Sequence, residues 1–423
     1  MEKINITPLA QKLEYYGQGQ LLSFYAGLEK SKQEQLLEDI NKINFDLIKS
    51  LSSEHLESLE EKSIVQKRDP IDALDVGELS QKKRTEFEDI GNYALSQGKV
   101  AAFLVAGGQG TRLGHELPKG TLDIGLPSGK SLYELQAQRL KAVSKKAGKD
   151  VPWYIMLNPV HAHQSIAFFK EHGYFGVPSD SVHFILQNMM PAVDKNGKII
   201  LADKHKISLS PDGNGGCFQA LIQGGSLAEM KQNGVEYFFF YGVDNALIKM
   251  MDPLFIGYTI ASGQQIGCKV VEKMNPEEKV GLLMLENGKP KVIEYSDMPG
   301  DLLFEKNARN RLKFSNGNIM MHLFKVDFIE QFGKERLPYH RAHKAIAYID
   351  DKGCVIKPDS PNGYKFEQFV FDVFPRAGGV AALAVKREEE FAPVKNRTGV
   401  DSMVSAREMV MNLYKQTGDD ILI

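Results

Sequence analysis

A continuous apolar run, Val100–Ala106, empties into the glycine-rich stretch Gly107-Gly108-Gln109-Gly110-Thr111-Arg112-Leu113-Gly114. No other feature constrains the fold as strongly. A run without alternation is apolar on both faces, as a strand covered from both sides in a parallel sheet must be. The texture repeats. Trp153–Leu157, Val182–Leu186 and Tyr237–Val243 are further candidate strands. Between them, Leu132, Leu135, Leu140 and Val143 show helical spacing, and Ile166–Phe169 lies on a second helix. Strands alternating with helices predict an α/β, Rossmann-like fold: a mixed, mainly parallel sheet flanked by helices. Past Gly267 the runs shorten, and Cys268–Val271, Gly281–Leu285 and Lys291–Tyr295 read as added strands, partly antiparallel.

The flanks differ. Residues 1–96 are polar and helix-prone, a helical N-terminal appendage. Leu36, Ile40, Ile43, Leu47 and Leu51 fall on one helical stripe there, and Phe87–Leu95 reads as a short helix. Residues 97–380 form the expected catalytic domain. Residues 381–423 form a small C-terminal segment, with a solvated charge run (Lys386–Glu390) and a final helix near Ser405–Tyr414.

Composition excludes several classes. Lys+Arg 52 against Asp+Glu 54 gives a net charge of −2 over 423 residues. A nucleic-acid coat or polybasic membrane binder needs a clustered excess of one sign. The greasiest run, Tyr237–Val243, is far short of the ~20 residues of a bilayer span. Met1–Thr7 shows no apolar leader. Cys217, Cys268 and Cys354 make neither a disulfide framework nor a CxxC site. The expectation is a cytoplasmic protein with no membrane or nucleic-acid partner. Nothing here fixes an oligomeric state, so a monomer stays open.

The chemistry gathers at the first junction. Glycines after a strand let backbone N–H groups approach a nucleotide unhindered by a Cβ. Arg112 offers a fork for phosphate oxygens, and Lys119, in Pro118-Lys119-Gly120, adds a point charge. The dinucleotide fingerprint fails because position 113 is Leu, and a Walker A loop fails because position 124 is Ile. Gly129-Lys130-Ser131 is then a turn before a helix. Asp244, just past an apolar strand, fits either a Mg²⁺ ligand or a helix N-cap. Pro211–Gly216 alone is an ordinary turn. Gln187, ending a strand, fits a base edge or a solvated end. The histidines at 161, 163, 340 and 343 lack a carboxylate or cysteine to complete a zinc set. Phe238-Phe239-Phe240 reads as core.

On these residues the chain resembles the eukaryotic-type UDP-N-acetylhexosamine pyrophosphorylases, within the wider UDP-sugar pyrophosphorylase superfamily. GGQGTRLG followed by PKG carries the resemblance first. Trp153-Tyr154-Ile155-Met156, Ser210–Gly216, Val243-Asp244-Asn245, Val270–Lys273, Val292–Ser296, Gly317-Asn318-Ile319 and Lys357–Lys365 follow in order, from about residue 97 to about residue 397. Glucose-specific relatives carry a loop closer to GGLGTSMG, so Gln109 and Arg112-Leu113 favour the N-acetylhexosamine branch.

The resemblance implies a fold of the nucleotide-diphospho-sugar transferase type. It implies that Val105, Ala106, Gly107, Gly108, Gln187 and Gly213 hold the uridine end of UTP, and that Asp244 serves nucleotide and metal, with Mg²⁺ (or Mn²⁺) as cofactor. Asn214, Glu294, Tyr295 and Asn318 would contact the sugar. Lys365 would contact the sugar phosphate. Lys344 would be a further phosphate contact, in a stretch that departs from the family's paired lysines. Arg112, Lys119 and Lys365 would carry catalysis. The implied reaction joins UTP and N-acetylglucosamine 1-phosphate into UDP-N-acetylglucosamine and pyrophosphate. The alternatives are a broader pyrophosphorylase making UDP-glucose or UDP-galactose, and, more remotely, a non-catalytic UDP-sugar binder.

Overall fold

The computed structural model describes residues 6–57 and 66–423. They fall into two compact units. The larger takes Gln66–Gln187, Cys217–Leu337 and Val370–Ile423. The smaller takes the described N-terminal residues with Asn188–Gly216 and Pro338–Phe369, two insertions drawn from the span 97–380.

The larger unit is built on an eleven-stranded sheet. Its main strands are β1 (Leu74–Asp75), β2 (Val100–Val105), β3 (Trp153–Leu157), β4 (Val182–Leu186), β5 (Tyr237–Gly242), β6 (Ile266–Glu272), β7 (Asn316–Lys325) and β8 (Ala381–Ala384). Their order is β1-β8-β6-β7-β5-β2-β3-β4. Strands β5, β2, β3 and β4 run parallel, as do β1, β8 and β6. Strand β7 lies antiparallel between the two groups. The expected mixed, mainly parallel sheet is therefore present. The hairpin Leu282–Glu286 and Lys289–Ile293 branches off beside β7.

The apolar runs explain which strands lie deepest. Ala101–Leu104 and Phe238–Tyr241 are fully buried, because helices cover both faces. The longer helices of this unit are α1 (Gln81–Ser96), α2 (Leu132–Ala147), α3 (Ala162–Glu171), α4 (Pro253–Ala261) and α5 (Met403–Thr417). Helix α1 is longer than the expected Phe87–Leu95. Ser80 caps it by accepting from Lys83 N at 3.3 Å, and the polar residues that follow form its solvent face. Ser131 caps α2 in the same way, accepting from Glu134 N at 3.2 Å. That is the structural use of the Gly129-Lys130-Ser131 turn.

In the smaller unit the stripe Leu36–Leu51 is divided between two helices, Lys30–Asn41 and Phe45–Glu57. A single helix was expected. Asn44 Oδ1 accepts from Leu47 N at 3.0 Å and starts the second helix. Such Asn caps interrupt a helix without changing which residues are apolar. Leu36, Ile40, Ile43 and Leu51 still share one core with Val193, Ile199, Leu201 and Phe366. A three-stranded antiparallel sheet of Val193–Asp194, Gly363–Glu367 and His340–Lys344 completes this unit.

Candidate active site

In the larger unit the glycine loop leaves β2 and doubles back on itself. Leu113 N donates to Gly110 O at 2.7 Å, His115 N to the same oxygen at 3.1 Å, and Lys119 N to Gly108 O at 3.2 Å. Arg112 sits exposed on the turn. The Lys119 stem runs over Gly108, where an added Cβ would lie 3.9 Å from Lys119 Cδ. Lys119 Nζ stands 3.5 Å from Asp244 Oδ2, with the two side chains 13% and 27% exposed. Asp244 follows β5, the parallel neighbour of β2. Both residues are thus at the carboxyl ends of adjacent parallel strands, where open α/β sheets bind ligands. Asp244 caps no helix: Asp252 caps α4, accepting from Leu254 N at 3.3 Å.

The next strands contribute in order. Gln187 follows β4 and is buried, not a solvated strand end. A Cβ on Gly107 would come 2.8 Å from Gln187 Oε1 and 3.7 Å from Asn158 N, at the end of β3. Position 107 therefore has little room beside the amide. Gly242, ending β5, is similarly confined: its Cβ would meet Met320 Cε at 2.4 Å and Asp244 Oδ1 at 2.9 Å.

The sugar candidates lie around a β-bulge. The β6–β7 register shifts between Lys269 and Val270, and Met320 adopts φ 54° there. A bulge re-aims side chains that a regular strand would alternate. Asn318 Oδ1 accepts from Met320 N at 3.1 Å, and Asn318 N donates to Gly281 O at 2.8 Å. Glu294 Oε1 would lie 3.2 Å from a Cβ on Gly281. Asn318 and Glu294 thus flank the same glycine. Tyr295 lies past the hairpin strand, 43% exposed.

The smaller unit holds the remaining candidates. Gly213 has φ +87°, and its Cβ would fall 2.3 Å from Gln368 O and 2.6 Å from Gln368 N. Gly215 N donates to Gln368 O at 2.8 Å, and Gln368 N to Asp212 O at 2.7 Å. Only glycine fits a left-handed residue pressed on another backbone. This explains Gly213 without reference to a ligand, and the backbone of Gln368 and Phe369, which an added Cβ would meet at 2.7–2.9 Å, explains Gly215. Lys365 pairs with Ala342, and Lys344 with Gly363. Directly paired residues share a face, as do residues two apart, so Lys344 and Lys365 stand on one side of the small sheet. Arg341 is on the other side, its guanidinium 4.1 Å from the centre of the Tyr364 ring.

Two features escaped the sequence. Asn245 is buried and pins a distant segment. Its Nδ2 donates to Glu390 O at 2.7 Å, and its Oδ1 accepts from Ala392 N at 3.0 Å. Val394 N reaches Asp244 O at 2.9 Å. An Asn directly after a strand-end Asp was the available signal. The second feature corrects the solvated charge run: Glu390 is buried. Its Oε2 lies 2.5 Å from Nζ of the fully buried Lys269, which also contacts Asp252 Oδ2 at 2.7 Å. Buried charges survive only in such pairs. Burial pushes the Asp252 carboxyl up, but Lys269 and Lys249 outweigh it and hold it at about 2. Burial pushes Glu390 up.

Among the described residues no group of three or more His, Cys, Asp or Glu side chains is placed to hold a metal ion by itself. A single carboxylate beside a glycine-rich loop fits Mg²⁺, which takes one or two carboxylates and fills its sphere with water and phosphate oxygens.

This fold and loop define the class. The chain matches the UTP–glucose-1-phosphate uridylyltransferase family over residues 45–417 and belongs to it. Among curated relatives it is 39% identical over 408 residues to UDP-N-acetylhexosamine pyrophosphorylase-like protein 1 of Xenopus tropicalis, covering 92% of this chain and 80% of that one. It is 37% identical over 402 residues to the UDP-N-acetylglucosamine pyrophosphorylase of Saccharomyces cerevisiae, covering 90% and 84%. Among solved structures, the uridine diphosphate N-acetylglucosamine pyrophosphorylase of Trypanosoma brucei superposes with a TM-score of 0.83 at 26% identity, covering 98% and 86%. No described helix is long and apolar enough to cross a membrane.

Proposed function

We propose that this protein transfers uridylyl from UTP to N-acetylglucosamine 1-phosphate, giving UDP-N-acetylglucosamine and pyrophosphate. The observation that carries the reading is the Lys119–Asp244 pair, 3.5 Å apart, at adjacent strand ends under a glycine loop bearing Arg112. The relatives' names support the nucleotide and the sugar. A phosphate is already an anionic nucleophile, so no general base is needed. Catalysis reduces to positioning and charge neutralisation. The resemblance assigns Val105–Gly108 and Gln187 in the larger unit, and Gly213 in the smaller, to the uridine. Lys365, supported by Lys344, restrains the attacking phosphate. Arg112 and Lys119 neutralise the departing pyrophosphate. The resemblance assigns Glu294, Tyr295 and Asn318 in the larger unit, and Asn214 in the smaller, to the sugar hydroxyls and N-acetyl group. Asp244 would hold Mg²⁺ (or Mn²⁺), which supplies further neutralisation of phosphate charge when bound. The free thiols of Cys268 and Cys354 support a reducing, cytoplasmic setting.

The test is pyrophosphate release from UTP and Mg²⁺ with N-acetylglucosamine, N-acetylgalactosamine, glucose and galactose 1-phosphates. The expected result is a kcat/KM at least about tenfold higher for an N-acetylated sugar, the scale of one specific pocket contact. Equal rates across the set would replace this reading with the broader UDP-sugar pyrophosphorylase. UDP-sugar binding with no turnover would replace it with a binder.

A further inference from the structure

Asn245 clasps the segment that begins at Phe391 to the end of β5. Beyond the Val394 N to Asp244 O bond, that segment turns tightly. Lys395 N and Asn396 N donate to Asp401 O at 2.7 and 2.9 Å, and Asn396 Nδ2 donates to Val400 O at 2.8 Å. Lys395 pairs with Asp401 at 3.2 Å. Arg397 projects from this braced turn. Its Nη1 would lie 3.8 Å from a Cβ on Gly114, two residues beyond Arg112 in the glycine loop. The residue is exposed, and it makes no ion pair among the described residues.

We propose that Arg397 is a further phosphate-binding residue, contacting the pyrophosphate portion of UTP and the pyrophosphate that leaves. This rests on the uridylyl-transfer reading. Along the loop, Val105–Gly108 is the uridine end and Arg112–Lys119 the phosphate end, and Gly114 belongs to the latter. The contact falls on a glycine, so no side chain stands between the guanidinium and the loop. A planar fork of donors suits phosphate oxygens. An arginine without a carboxylate partner is free to spend those donors on an anion. The bracing matters because a backbone already ordered around Arg397 loses less entropy on binding than a mobile loop does. Asp401, the carboxylate in the same turn, is already paired with Lys395.

The test compares wild-type protein with Arg397→Ala and Arg397→Lys. KM for pyrophosphate and for UDP-N-acetylglucosamine is measured in the reverse reaction, with pyrophosphate and UMP binding to the free protein measured by calorimetry. In Arg397→Ala, KM and Kd for pyrophosphate should rise about tenfold, the scale of one charge-assisted hydrogen bond. Arg397→Lys should recover part of this. KM for the UDP-sugar and Kd for UMP should stay within about twofold, since neither ligand carries the leaving phosphates. Unchanged pyrophosphate affinity overturns the proposal, and so does an equal rise for every ligand, which marks a loosened loop. Wild-type protein without turnover in either direction would refute uridylyl transfer itself, and the calorimetric comparison would still judge Arg397.

Discussion

Lys269→Met isolates the buried charges behind the site. The ammonium is fully buried between Asp252 and Glu390, at 2.7 and 2.5 Å. Methionine fills similar volume, so the loss is electrostatic. Only Lys249 then remains, 3.3 Å from Asp252 Oδ1 and half exposed. Removing one partner of a buried pair strands the other charge and costs ~3–5 kcal/mol. The pH dependence fixes the sign. In the wild-type protein Asp252 is held at about 2 against an ordinary 3.8. A lowered carboxylate stabilises the fold above its ordinary value, and the contribution is lost as pH falls toward 2. It amounts to about 2 kcal/mol at ~1.4 kcal/mol per pKa unit. Without Lys269 both carboxyls rise and take up protons, and a neutral carboxyl is cheaper to bury. The penalty is therefore largest near pH 8 and shrinks toward pH 5. Urea melts of both proteins at pH 5, 6.5 and 8 measure it. A loss below about 1 kcal/mol at pH 8, or one that grows with acidity, would refute this account.

Three other substitutions test the site directly. Arg112→Ala and Lys119→Ala should each lower kcat by at least ~10²-fold, the effect of deleting one stabilising donor, and near wild-type turnover in both would sink the assigned roles. Gly213→Ala places a methyl group 2.3 Å from Gln368 O at φ +87°. The left-handed backbone alone costs ~1–2 kcal/mol, and the clash adds to it. A clear fall in Tm is expected, and an unchanged Tm would show that residues 212–216 move aside freely.

Much of the larger unit was legible in the sequence because its signals are local. Val100–Val105 and Tyr237–Gly242 are apolar throughout, and burial on both faces permits nothing else. The glycine loop was legible for the same reason. Three other features depend on partners far along the chain. Glu390 lies in a run of charged residues, and its burial follows only from Lys269, 121 residues away. The bulge at Met320 depends on register with β6, which no pattern within β7 encodes. The break at Asn44 turns on one capping side chain, and the heptad-like stripe hides it. The glycines at 213 and 215 were legible as a turn, whereas their close approach to Gln368 required the fold.

The clasp between Asn245 and residues 390–394 has a consequence for synthesis. Chains emerge N-terminus first, and domains settle as their parts appear. The glycine loop and Asp244 leave the ribosome well before Glu390, Ala392 and Val394. Until then the Asn245 amide lacks two of its partners, and Lys269 lacks one of its two carboxylates. A nascent chain paused short of residue 390 would therefore hold a sheet whose edge at Asp244 is not yet fastened, and that edge would be fixed only once residues 390–394 have been made.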